Sequence, residues 1–204
     1  MLQHIFSKQF FSLITPPNRE YLLDALKTAR INKEETEKIV WNKNCDVKVE
    51  AFYPNDLFEF MLPSVEMFVE DLKLKQASLN LTDIWRNTYS RGGHQEIHNH
   101  ISPNGSSHIS GCIFLNDFDP EGGKFYFYNR YDVDFTPVWR MIYDNIGNQY
   151  ITYFPKYKKG DIMFFPSEML HGVQVHKLNK KRQTVSFNIS VEMPSVIYKN
   201  FNLY

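Results

Sequence analysis

Two histidines in this chain, His98 and His100, are spaced one residue apart in Gln95-Glu96-Ile97-His98-Asn99-His100. On an extended strand residues i and i+2 point to one face, so the two imidazoles would project side by side as two ligands to one metal ion must. Four of the seven histidines, His94, His98, His100 and His108, crowd into this part of the sequence. A third candidate ligand, His171, follows about 70 residues later, after the apolar run Ile162-Met163-Phe164-Phe165. Arg182 opens the strand-like RQTVSFNIS, and Thr184 stands two residues on, facing the same way. Three protein ligands leave coordination positions open for exogenous molecules. An arginine on the strand after the distal histidine can fork onto a carboxylate held at that metal. A second pair with the same spacing, His94 and Glu96, offers an imidazole and a carboxylate, so the choice between His100 and Glu96 as second ligand stays open.

These residues need a scaffold, and composition bounds it. The chain has 204 residues, enough for one domain with a buried core. With 23 basic and 23 acidic residues the formal charge is zero, which removes any global electrostatic case for nucleic acid or an anionic membrane. Aromatic residues make up 16 %, against disorder. Cys45 and Cys112 lie far apart, without metal-type spacing, and suit a reducing compartment. The N-terminal MLQHIFSKQFFSLITPP lacks a basic n-region, and no run approaches the roughly 18 apolar residues needed to span a bilayer. The expectation is a soluble cytoplasmic protein with no membrane segment.

Residues 1–17 read as an extended arm or edge strand. Asn18 is placed to cap a helix through Arg30, with Tyr21, Leu22, Ala25 and Leu26 as its apolar stripe. Asn32 could cap a short helix over Lys33–Trp41. A third helix starts near Asn55 and runs to about Lys75, and Pro63 should kink or divide it. Beyond Asn80 the texture turns to strands: Leu81–Ser90, Ser107–Asn116, Lys124–Tyr128, Gln149–Phe154, Asp161–Phe165, Gly172–His176 and Thr184–Val191. Helices followed by many short strands predict an α+β, mainly β architecture: a jelly roll backed by N-terminal helices. The expected organisation is a single domain, with 1–80 as arm and helical support and 81–204 as the jelly-roll core carrying the metal site. His108 and His176 read as surface or loop residues, and His94 as a turn residue. Asn99–Ser107 and Asn129–Asn148 are the candidate specificity loops.

The order of these pieces resembles the 2-oxoglutarate/Fe(II)-dependent oxygenases, whose pattern is H-x-D/E, a distal His and Arg-x-Ser/Thr on a double-stranded β-helix. The prolyl-hydroxylase-like branch is similar in Phe114-Leu115-Asn116, Gly122-Gly123 and Gly160-Asp161. Similar too is a group of uncharacterised oxygenases common in phage and marine bacterial genomes, through Gln-x-x-His-x-His, Ser110-Gly111 and Phe165-Pro166-Ser167. The resemblance covers about residues 85–190. It implies Fe(II) held by His98, His100 and His171, and 2-oxoglutarate held by Arg182 and Thr184, with Tyr89 and Asn87 as further cosubstrate contacts. The implied reaction uses O2 to hydroxylate a C–H bond of a peptide, amino acid or small molecule, releasing succinate and CO2. One departure stands out: where the family carries a carboxylate, this chain carries His100. That departure keeps two alternatives open, a three-histidine dioxygenase that does not use 2-oxoglutarate and a non-catalytic metal-binding jelly roll.

Overall fold

The computed structural model describes residues 2–6, 9–73, 77–102, 105–129 and 152–192. Two strands open the chain, β1 (Leu2–Phe6) and β2 (Gln9–Ile14). The helices α1 (Arg19–Thr28) and α2 (Lys33–Lys38) follow, then β3 (Val47–Ala51) and α3 (Phe58–Asp71). The remaining strands are β4 (Ser78–Tyr89), β5 (Gln95–His98), β6 (Ile109–Phe114), β7 (Phe125–Tyr128), β8 (Thr152–Tyr153), β9 (Ile162–Pro166), β10 (His171–Val173) and β11 (Arg182–Glu192). Short 3-10 turns occupy Trp41–Asn44 and Pro54–Asp56.

Seven strands form one antiparallel sheet in the order β1-β2-β9-β6-β11-β4-β3, and four form a second in the order β5-β10-β7-β8. Facing antiparallel sheets with helices outside one of them make the expected helix-backed jelly roll. The large sheet is covered on both faces, which is why all six residues of β6 are buried. Ile109 and Ile113 pack with Leu22 and Leu26 of α1 and Met61, Val65 and Phe68 of α3. Phe68 stacks on Phe164 of β9 with ring centroids 4.7 Å apart. Cys112 and Phe114, on the other face of β6, join Phe125 and Phe127 of the small sheet between the two sheets. Gly111 has no room for a side chain, since a Cβ there would lie 2.1 Å from the Phe187 ring.

Several expectations change in detail. The first 17 residues hold two strands rather than one arm, and β2 docks on β9. Asn18 does not cap α1, because its side-chain amide instead donates to the Phe60 carbonyl (2.9 Å) and ties α1 to the start of α3. Tyr21 is 75 % exposed, and Leu23 is buried in its stead. Asn32 does cap α2, accepting from the Glu35 N–H at 3.2 Å. Pro63 lies inside α3, which continues through it to Asp71. The strand β3 was not anticipated; it pairs with β4 and closes one edge of the large sheet. Residues 130–151, including nearly all of the proposed Asn129–Asn148 loop, lie outside the described residues. Among the described residues no helix is long and apolar enough to cross a membrane.

For the site, the consequence is placement. β11 runs between β6 and β4 in the large sheet, while β10 runs between β5 and β7 in the small one. Residues of β11 and of β5 and β10 therefore line one cavity between the sheets.

Candidate metal centre

His171 opens β10 and His98 closes β5, and the two are register partners across that pair. Their ring centroids lie 4.3 Å apart. His100 falls two residues past His98, beyond the end of β5, so strand alternation alone does not bring it in. Its N–H donates to the Ser167 carbonyl (2.8 Å), which holds it against the turn before His171. Its ring stacks on Trp85 of β4 at 5.6 Å, and its centroid is 5.1 Å from that of His98 and 5.0 Å from that of His171. The Ser167 hydroxyl is itself 2.8 Å from the hydroxyls of Ser107 and Ser110, so the anchor of His100 is tied to β6.

The protonation of two rings follows from their neighbours. His98 Nδ1 lies 2.8 Å from the Glu96 carbonyl, and His171 Nδ1 lies 2.8 Å from the Met169 carbonyl. A carbonyl only accepts, so each Nδ1 carries the proton and each Nε2 keeps a lone pair for a metal. One ligand atom from each of His98, His100 and His171 lies within 4.8 Å of the other two. Burial pushes all three imidazoles below their usual pKa, that of His100 to about 3, with the nearby His98 adding to the effect. Neutral imidazole is the form that binds a metal, and three imidazoles suit iron, nickel, copper or zinc.

Glu96 does not join them. Its carboxylate groups instead with Cys45 and His94. Of the two second ligands left open by the sequence, His100 is the one brought to His98 and His171.

Arg182 supplies the second half of the site. It is buried, at 6 % exposure, and its three side-chain nitrogens have no hydrogen-bond partner among the described residues. A buried, unpaired guanidinium is costly unless an anion meets it. The cavity that Arg182 lines is also lined by His98, His100, His171, Thr184 and Tyr89. A dicarboxylate with one end at the imidazoles and the other at Arg182 fits that polarity. Tyr89 lies under the guanidinium, whose central carbon is 4.9 Å from the ring centroid. Burial pushes the Cys112 thiol in the same cavity up to about 12, which keeps it protonated.

Asn87, the other residue suggested as a cosubstrate contact, is not among the residues lining this cavity. Its amide donates to the Ser186 hydroxyl (3.0 Å), so it braces β4 against β11. His176 is not a surface residue: it is buried, its Nδ1 accepts from the Gly123 N–H (3.0 Å), and its Nε2 meets the Lys180 carbonyl. His108 is exposed, as expected. Three residues at the site had no assigned role in the sequence reading: Gln95, Trp85 and Asn188. The Gln95 amide donates to His98 Nε2 (3.1 Å) and accepts from the Tyr89 hydroxyl (3.0 Å). Asn188 interacts with His100 while accepting from Ser110 (2.9 Å) and donating to Asp83 (3.3 Å). The signal for Asn188 was available, since it continues the period-two face of Arg182, Thr184 and Ser186.

Known proteins share this architecture. An oxidoreductase of the 2OG-Fe(II) oxygenase family from Burkholderia pseudomallei superposes with a TM-score of 0.59 at 11 % identity, covering 88 % of this chain and 84 % of its own. A prolyl-4-hydroxylase from Pseudomonas putida gives 0.56 at 12 % identity, with coverage of 90 % and 94 %. HygX from Streptomyces hygroscopicus, with nickel and 2-oxoglutarate bound, gives 0.55 at 12 % identity, with coverage of 88 % and 82 %. At such identities the likeness is one of fold. No curated protein matches the sequence. The profile of the family described as "Putative 2OG-Fe(II) oxygenase" matches residues 83–188, which run from β4 through β11 and include every residue of the cavity. This chain belongs to the 2OG-Fe(II) oxygenase family, enzymes that use Fe(II) and 2-oxoglutarate.

Proposed function

We propose that His98, His100 and His171 are the Fe(II) ligands of this oxygenase and that Arg182, with Thr184, binds the distal carboxylate of 2-oxoglutarate. The observation that carries the reading is the unpaired, buried Arg182 guanidinium in the same cavity as the three imidazoles. When bound, iron and 2-oxoglutarate supply an O2-dependent oxidation: a C–H bond, O2 and 2-oxoglutarate become C–OH, succinate and CO2. The protein's own contributions are geometric and electrostatic. The Glu96 and Met169 carbonyls hold His98 and His171 in the ligating tautomer. Arg182 offers two parallel N–H donors, a geometry that orients a carboxylate as well as binding it. The apolar walls Phe125, Phe165 and Val173 exclude water, which strengthens each of these interactions. The prolyl-4-hydroxylase among the solved structures and the nickel and 2-oxoglutarate found in HygX support the same assignment.

Substrate enters in this reading through the cleft that Trp41, Trp85, Ile97 and Asn99 form beside His98 and His100. Two aromatic faces and few charges suit a peptide, an amino acid or another small molecule with an apolar segment.

The test is anaerobic addition of Fe(II) with and without 2-oxoglutarate. A visible metal-to-ligand charge-transfer band that requires both is expected, followed in air by succinate formation even without substrate. His100, in the place of the family's carboxylate, keeps one other reading in play: a three-histidine dioxygenase that consumes O2 without 2-oxoglutarate. Fe(II) binding with no charge-transfer band on adding 2-oxoglutarate, and no succinate in any mixture, would favour that second reading instead.

A further inference from the structure

A second group of ligand-type side chains lies beside the first. We propose that Cys45, His94 and Glu96 form a separate divalent-metal site of the zinc class, which ties β5 to the Trp41–Asn44 turn. The proposal does not depend on the assignment of the iron site. One donor atom from each of the three residues lies within 4.8 Å of the other two. Tetrahedral zinc with thiolate, imidazole and carboxylate ligands needs donors about 3.5 Å apart, a contraction that side-chain rotation supplies.

Three elements bring these residues together. Cys45 ends the 3-10 turn Trp41–Asn44, and its carbonyl accepts from the His94 N–H at 3.0 Å. That bond needs the β4–β5 turn to come hard against the Cys45-Asp46 backbone. Gly93 allows it, because a Cβ at that position would lie 2.8 Å from the Asp46 carbonyl. Glu96 sits on β5 two residues before His98.

The donors are free for this role. The His94 Nδ1 faces the Gly92 carbonyl at 3.4 Å, which favours the proton on Nδ1 and leaves Nε2 as a lone pair. Neither the Cys45 thiol nor the Glu96 carboxylate has a hydrogen-bond or ion-pair partner among the described residues. Cys45 is 4 % exposed, so its sulfur faces the cluster from a protected position. The donor set also selects the metal. A thiolate disfavours Mg2+ and Ca2+, which take oxygen, and suits Zn2+ and its spectroscopic substitute Co2+. Binding converts Cys–SH and M2+ into Cys–S–M and a released proton. Cys45 and Glu96 line the same cleft as His98 and His100, so a metal here would fix the rim beside the iron ligands.

The experiment is anaerobic titration of the full chain with Co2+, read as the near-ultraviolet thiolate-to-cobalt charge-transfer band. One equivalent giving rise to that band is expected in the wild type and in His171→Ala, whose imidazole triad is broken. Cys45→Ser and His94→Ala should lose it. Glu96→Gln, at an exposed position that folding does not depend on, should weaken cobalt binding about tenfold with an unchanged circular dichroism spectrum. No thiolate band at equimolar cobalt in wild type and His171→Ala would overturn the proposal. A band that survives Cys45→Ser would overturn it too, since the thiolate would then be Cys112.

Discussion

Arg182 and Tyr89 are register partners across the β11–β4 pair, and the guanidinium carbon stands 4.9 Å from the centre of the Tyr89 ring. The ring's π face compensates the cation within the fold, a contact worth about 2 kcal/mol at a desolvated site. That leaves the guanidinium nitrogens without a hydrogen-bond partner among the described residues. Replacing Arg182 by Met should therefore act in opposite directions on stability and on binding. Without 2-oxoglutarate the variant should melt a few degrees higher, as expected when a buried charge gives way to an apolar side chain of similar length. The thermal shift that 2-oxoglutarate gives the Fe(II)-loaded wild type should disappear, and cosubstrate affinity should fall by about 100-fold, equivalent to losing a charge-assisted pair of about 3 kcal/mol. Metal binding should persist. A variant that melts lower without cosubstrate would mean that Arg182 is satisfied inside the fold.

The imidazole triad carries a sharper test at its unusual member. A carboxylate at position 100 would restore the family's ligand pattern, and oxygen donors suit Fe(II) as well as imidazole does. His100→Asp should retain Fe(II)-dependent succinate formation within about tenfold of wild type. His171→Ala should abolish it, because a lost ligand costs more than the 10- to 100-fold typical of groups that only orient one. Succinate assays on the two variants, with iron content measured in parallel, decide the matter. Equal loss in both would mean that position 100 does not behave as the family's ligand position.

Much of this arrangement was legible from residue order. The strands expected from Leu81 onward fall on β4 and β6–β11, with residues 149–151 of the Gln149–Phe154 expectation outside the described residues, because alternating apolar residues bounded by Gly, Pro and Asp leave few other readings. Arg182 and Thr184 were recognisable by spacing, and so was the pairing of a distal histidine with an earlier one. What stayed hidden depends on contacts distant in sequence. β3 has the alternating Val47, Val49 and Ala51, but at five residues with two charges its identity as a strand is settled only by docking on β4. His100 appeared to be in line with His98 on one strand, yet it is positioned by the Ser167 carbonyl, 67 positions further along the chain. His176 reads as a surface or loop residue; it does lie in a loop, but contacts with the Gly123 turn and with the Gly92-Gly93 backbone bury it. Residue order favours His98 and His100 but leaves Glu96 open, and the β4–β5 turn places its carboxylate with Cys45 and His94.

The depressed imidazoles make the metal-free protein acid-sensitive. Burial lowers the pKa of His98, His100 and His171, that of His100 to about 3. Unfolded histidine titrates near 6.5, so below that pH the unfolded chain binds protons that the native state refuses, and stability falls as pH falls. The contribution is fully present above pH 6.5 and is lost on descent towards the native pKa values, at up to about 1.4 kcal/mol per pH unit for each histidine. Urea unfolding of the metal-free protein at pH 7.5, 6.5 and 5.5 should give a midpoint that falls slightly between the first two and more steeply at the third. In His100→Ala the drop should be smaller. An unchanged midpoint at pH 5.5 would mean that the rings are charged in the native state.

Gln95 adds a last consequence, because its amide donates to the same His98 Nε2 lone pair that a metal would take. The Tyr89 hydroxyl holds the other end of that carboxamide at 3.0 Å, so the competing donor is aimed rather than incidental. Metal entry must break the Gln95–His98 bond, at a cost of about 1 kcal/mol. Gln95→Ala should accordingly bind Fe(II) about fivefold more tightly in the absence of 2-oxoglutarate. The same change frees the Tyr89 hydroxyl beside Arg182, so cosubstrate affinity should shift as well, whereas Tyr89→Phe should affect metal affinity less than Gln95→Ala does. Anaerobic competition with a chelating indicator measures the first quantity directly. Weaker iron binding in Gln95→Ala would show that the glutamine supports the loaded site and does not compete with it.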